Sequence, residues 1–148
     1  MASLALARRS FRKATMDRQL SALEVAVLLK LLAGDHPVLR VLRKQVERSG
    51  VKSRDFTGAG FMTELDLPMD VTRARLGKEE VRVGGVLAEV SGLSHGAGFV
   101  LYLKDGLLDA LEGYSYDEPW PEAIASFELR YATEREGELE RLQDLALD

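Results

Sequence analysis

The dipeptide Asp105-Gly106 constrains this chain more than any other feature. It lies between two apolar runs, Phe99–Leu103 and Leu107–Leu111. A two-residue type I′ hairpin needs positive φ at both central residues, and Asp-Gly is one of the pairs that supply it. Residues 98–122 therefore read as two paired strands leading into an aromatic, acidic, proline-bearing segment, Tyr114 to Pro121. In a regular hairpin, facing residues share a face. Leu103 then meets Leu108, Leu101 meets Ala110 and Phe99 meets Glu112. The other face pairs Lys104 with Leu107, Tyr102 with Asp109 and Val100 with Leu111. The first set is the more apolar and is the expected core face. This register places the Glu112 carboxylate beside Phe99, where an ion is costly unless it is paired, hydrogen-bonded or protonated. Glu112 is expected to be partly buried, accepting from backbone N–H groups within Gly113–Trp120 or meeting Arg130. A general acid with a raised pKa is the alternative.

The 148 residues are enough for one domain with a real core. No apolar run approaches a membrane span, so no membrane association is expected. Cysteine is absent, which removes thiolate chemistry and a disulfide framework and fits the cytoplasm. His36 and His95 are the only imidazoles, so a site built from several histidines is excluded. The net charge of −4 conceals a division. Residues 1–54 carry 12 Lys/Arg against 4 Asp/Glu, and residues 55–148 carry 8 against 20. Such asymmetry suits a nucleic-acid partner for the basic half, mutual attraction of the halves, or ordinary solvated faces.

Residues 1–16 contain four cations and no acidic residue. Their Arg8-Arg9-Ser10-Phe11 stretch resembles a twin-arginine pattern, but no uncharged apolar region or cleavage site follows. They are expected to form a flexible basic leader, with Met16 as an alternative start. A first helix is expected over 17–33, with Ser21 and Glu24 at capping-box spacing and apolar residues on most sides. Asp35 is the expected cap of a second helix running from Pro37 to Arg48. Arg40, Arg43, Lys44 and Arg48 lie opposite its apolar stripe. The period then changes, and one strand is expected from Phe56 to Leu67. Another runs from Val81 to Val90, with a bulge at Gly84-Gly85 returning five apolar residues to one face. Ser94 and His95 fall in a turn, and no nucleophile-elbow motif accompanies them. A last strand covers Ser126–Thr133. Residues 134–148 read as a charged tail with the pattern of a short helix.

The stretches TGAGF (57–61), HGAGFVLYLKDG (95–106) and LEGYSYDEPWP (111–121) are similar to an uncharacterised family of small bacterial proteins. Members have two N-terminal helices followed by a β-rich part. The resemblance spans about Glu24 to Tyr131. It implies a bacterial cytoplasmic protein and brings no activity, cofactor or catalytic residue.

The expected fold is α+β: a single domain over 17–133, with two N-terminal helices on one face of a mostly antiparallel sheet of four or five strands. The leading expectation for function is a non-enzymatic protein-binding module of the immunity or antitoxin kind. Its contact residues would be Tyr114, Tyr116, Asp117, Glu118 and Trp120, because tyrosine and tryptophan dominate binding hot spots. A homo-oligomer is compatible with this, and no cofactor or metal is expected. The alternative is a hydrolase or metal-dependent enzyme built on Asp109, Glu112, Asp117 and His95. The third reading is nucleic-acid binding by the basic face of the second helix, disfavoured because no aromatic residue interleaves with its arginines.

Overall fold

The computed structural model describes residues 18–133 and 137–147. The expected leader, residues 1–16, lies outside them. Nine elements follow one another: α1 (Ala22–Leu31), α2 (Pro37–Arg48), β1 (Gly50–Phe56), β2 (Gly60–Asp66), β3 (Glu80–Val90), β4 (Ala97–Lys104), β5 (Leu107–Ser115), β6 (Phe127–Tyr131) and α3 (Gly137–Asp144). The strands form one antiparallel sheet in the order β1-β2-β5-β4-β3-β6. It has six strands rather than four or five. The strand expected from Phe56 to Leu67 is β2, which begins only at Gly60; it pairs with an additional strand before it, β1, through a turn at 57–59. Strand β1 escaped notice because only Val51 is buried in it, and Lys52, Arg54 and Asp55 give it the charged character of an edge strand.

Helix α1 packs on β3, β4 and β6, α2 packs on β5, and α3 packs on β3. Leu145, just after α3, joins the core, and the helices form one layer and the sheet the other. The capping box at Ser21 and Glu24 forms as expected. Helix α1 is less enclosed than its composition suggests: Val25 is half-buried and Leu29 is 41% exposed. The cap of α2 is His36, not Asp35; its Nδ1 accepts from the Val38 N–H at 3.1 Å.

The Asp105-Gly106 turn has φ of 53° and 75°, and Phe99, Leu101, Leu103 and Leu108 are buried. Loop 69–79 folds over this turn. Ala74 N–H donates to Gly106 O, and Asp105 N–H donates to Glu79 O. Buried Gln45 of α2 clasps the same place: its Nε2 donates to Thr72 O and Gly106 O, and its Oε1 accepts from Leu108 N–H. The bulge at Gly84-Gly85 is present between Val83 and Val86, and Val81, Val83, Val86, Ala88 and Val90 are all buried.

The hairpin register differs from the regular one. Leu103 pairs with Leu108, but Tyr102 pairs with Ala110, so Asp109 is an extra residue in β5. That bulge turns over everything beyond it. Leu111, not Ala110, faces Leu101; Gly113, not Glu112, faces Phe99; and Glu112 faces Val100 on the opposite side of the sheet.

Candidate protein-binding face

The Asp109 bulge creates the surface of interest, because it carries Glu112 and Tyr114 to the face that no helix covers. Strand registers arrange that outer face in rows. One row runs Asp55, Met62, Glu112, Val100. Beside it runs Ser53, Glu64, Ala110, Tyr102, Arg82. A third runs Gly60, Tyr114, Gly98, Leu87, Arg130. Asp55, Glu64 and Glu112 thus lie on the β1–β2–β5 side, while β3 and β6 carry Arg82 and Arg130 together with the facing carboxylates Glu89 and Glu128.

Tyr102 Oη donates to Glu112 Oε1 at 2.8 Å. That bond to a carboxylate, with burial adding to it, raises the Tyr102 pKa and keeps the phenol a donor. Among the described residues no Lys or Arg lies within ion-pair distance of Glu112. Tyr114 lies across Gly98, where an added Cβ would stand 2.4 Å from its Oη. Burial, with Tyr116 and Glu112 close by, raises the Tyr114 pKa as well. The expected bonds of Glu112 to the loop backbone or to Arg130 do not form: its carboxylate takes the Tyr102 hydroxyl instead, and Arg130, though on the same face, lies on β6 with β4 and β3 in between.

Beyond β5 the chain makes a tightly determined turn. Ser115 Oγ donates to Glu118 O, and Asp117 between them has φ of 61°. Glu118 then clamps the turn to the β3–β4 connection: Oε1 accepts from Ser94 N–H at 2.8 Å and Oε2 from His95 N–H at 2.9 Å. Those two amides hold the Glu118 carboxyl below its usual pKa. On the other side, Ser115 N–H donates to Ala59 O and Trp120 N–H to Gly58 O. The Trp120 ring stands edge-on to Phe61 at 5.1 Å and packs against the core. Left at the tip are Tyr116, 44% exposed and edge-on to Tyr114 at 5.8 Å, and Asp117. A hollow of about 620 Å³ adjoins the turn, with Leu87 and Gly96 among its lining and His95, Tyr116 and Arg130 at its edges.

The residues expected to make contacts therefore divide. Tyr114, Tyr116 and Asp117 face outward, Glu118 is the clamp that holds them, and Trp120 belongs to the core side. Of the residues considered for an enzyme, Asp109 and His95 fall at opposite ends of the β4–β5 hairpin, Glu112 lies mid-sheet and Asp117 at the turn tip. Among the described residues no group of three or more His, Asp or Glu could hold a metal ion. The basic face of α2 also divides. Arg40, Lys44 and Arg48 are exposed, with Arg48 paired to Asp70 at 2.9 Å. Arg43 is half-buried and donates to Leu32 O and Gly34 O, capping the end of α1. Buried Arg141 of α3 completes that cap through Lys30 O, Leu31 O and Ala33 O.

Sequence reasoning missed Glu112 and Tyr102 as partners and Glu118 as a clamp. A signal for the first existed: Ala110 and Leu111 adjoin, and two neighbouring apolar residues break strand alternation as Val83 and Val86 do around their bulge. Comparison with protein-family models, curated proteins and solved structures found no match. Among the described residues no helix is long and apolar enough to cross a membrane.

Proposed function

We propose that this chain is a non-enzymatic, cytoplasmic protein-binding module, of the immunity or antitoxin kind, whose partner presents a basic surface. The observation that carries this reading is the turn at 115–118. A hydrogen bond from the Ser115 hydroxyl to Glu118 O, a bidentate carboxylate clamp and a positive-φ aspartate converge to hold Tyr116 at the tip of the turn. Backbone held in a sparsely populated region clusters at sites of recognition. A tyrosine ring presented in this way gives a partner rigid contact area at little entropic cost. Asp55, Glu64, Glu112 and Asp117 give the same side an acidic field, which selects and steers a cationic partner. A planar guanidinium meets both needs at once, pairing with a carboxylate while stacking on a tyrosine ring.

Affinity capture from the native cytoplasm, run side by side with wild type, Tyr116→Ala and Glu112→Gln, tests this. The expected result is a basic protein retained by wild type and depleted about tenfold or more by either variant. A partner retained equally by both variants, or an acidic one, contradicts it.

A further inference from the structure

A separate cavity opens on the helix side of the sheet. It has a volume of about 260 Å³ and lies between the N-terminal turn of α1 and the segment after Trp120. Its apolar lining includes Leu23, Phe56, Phe61, Trp120, Ile124 and Phe127. Leu23 and Phe61 belong to the core, so the inner wall continues the core. Phe56, on edge strand β1, is 66% exposed. A phenylalanine left that exposed beside an apolar hollow gains burial from whatever enters it.

Three charged groups reach the wall: Glu122 is exposed and keeps its hydration, while the enclosed pair, Glu24 and Arg54, serve each other. Arg54 Nη2 and Nε donate to Glu24 Oε1 and Oε2 at 2.5 and 3.2 Å, while Thr63 Oγ1 donates to Oε2. Among the described residues no buried side-chain polar atom lacks a partner. No buried polar group in the wall therefore calls for an ion, and an anion entering past Glu122 would lose hydration for nothing in return. The size fits a ring compound, since an enclosed apolar cavity of about 150 Å³ already accommodates benzene. Pro119 and Pro121 restrict the backbone on either side of Trp120, and the Trp120 N–H is tied to Gly58 O at 2.8 Å. The wall is thus formed in advance, which lowers the cost of binding.

We infer that this cavity binds a compact, uncharged, ring-bearing ligand that lies against Trp120 and is closed over by Phe56. It shares no contact residue with the outer face, so it stands or falls independently of the protein-binding role.

Trp120 is the only tryptophan in the chain, so red-edge-excited fluorescence reports on this cavity alone. The probe is iodobenzene, a neutral ring whose heavy atom quenches on contact. Saturable quenching is expected, with 4-iodobenzoate weaker by about tenfold or more. Phe56→Ala, at an exposed position, should keep the wild-type melting curve and weaken iodobenzene binding by about tenfold. Quenching that rises linearly without saturation overturns the inference. So does equal saturation by 4-iodobenzoate, or an unchanged affinity in Phe56→Ala.

Discussion

Glu24 and Arg54 hold each other at 2.5 Å inside the fold, one in the first turn of α1 and the other on edge strand β1. Glu24 is 2% exposed, and its Oε1 also accepts from Ser21 N–H at 2.8 Å, closing the capping box. One carboxylate therefore caps the helix, neutralises a half-buried arginine and receives the Thr63 hydroxyl of β2. It ties the β1–β2 hairpin to the helix layer, at the edge of the sheet that carries the acidic rows of the outer face.

Removing one member of this pair should cost far more than the pair contributes. Arg54→Met leaves a buried carboxylate without its cation, and about 3–5 kcal/mol of stability should be lost. The double variant Glu24→Gln with Arg54→Met should recover a large part of that loss, because no charge is stranded. Urea melts of the three proteins check this; a single-variant loss below about 1 kcal/mol would contradict it.

Glu24 also gives stability a definite pH dependence. Burial alone would raise its pKa, but the bonds from Arg54, Ser21 and Thr63 prevail and lower it below the ordinary value of 4.5. A carboxyl with a folded pKa below its unfolded one contributes stability that is complete above the unfolded value. That contribution is lost as pH falls through the folded value. Acid unfolding of wild type should therefore steepen below about pH 4.5, and Glu24→Gln should lose that segment of the curve. Identical acid limbs in the two proteins would contradict the assignment.

Gln45 provides a test of the hairpin clasp. Its Oε1 receives the buried Leu108 N–H at 3.0 Å, and its Nε2 serves two carbonyls. Gln45→Ala strands these groups and should cost about 1–3 kcal/mol. Hydrogen exchange at the Leu108 amide should accelerate along with the loss. Unaltered protection at Leu108 would show that the clasp does not hold the turn.

Much of the architecture was legible because its signals are local. Asp105-Gly106, the Ser21–Glu24 spacing and Gly84-Gly85 each announce a conformation within a few residues, and each occurs where expected. What escaped is set by distant partners. Glu24, Gln45, Arg54 and Arg141 are polar side chains enclosed by groups brought together only by the fold. The Asp109 bulge was local but was masked by Gly113, which reads as the start of a loop. It lies in β5 opposite Phe99, and the Phe61 ring occupies the space its side chain would need. Missing that one residue placed Glu112 on the wrong face.

Asp117 separates presentation from stability. Its φ of 61° suits glycine better than any other residue. Asp117→Gly should leave stability unchanged or raise it by about 1 kcal/mol while weakening partner binding. Thermal melts together with binding assays check both halves. A destabilised variant would show that the aspartate side chain holds the turn.

The most direct test of the account is a calorimetric titration of the captured partner against wild type and Tyr116→Ala, with melting curves for both proteins. Tyr116 is 44% exposed and the turn is held by Ser115 and Glu118 rather than by its ring, so the variant should melt like wild type. Its affinity should fall by about 2 kcal/mol or more, roughly thirtyfold. An affinity within about twofold of wild type would contradict the claim that this turn exists to present Tyr116.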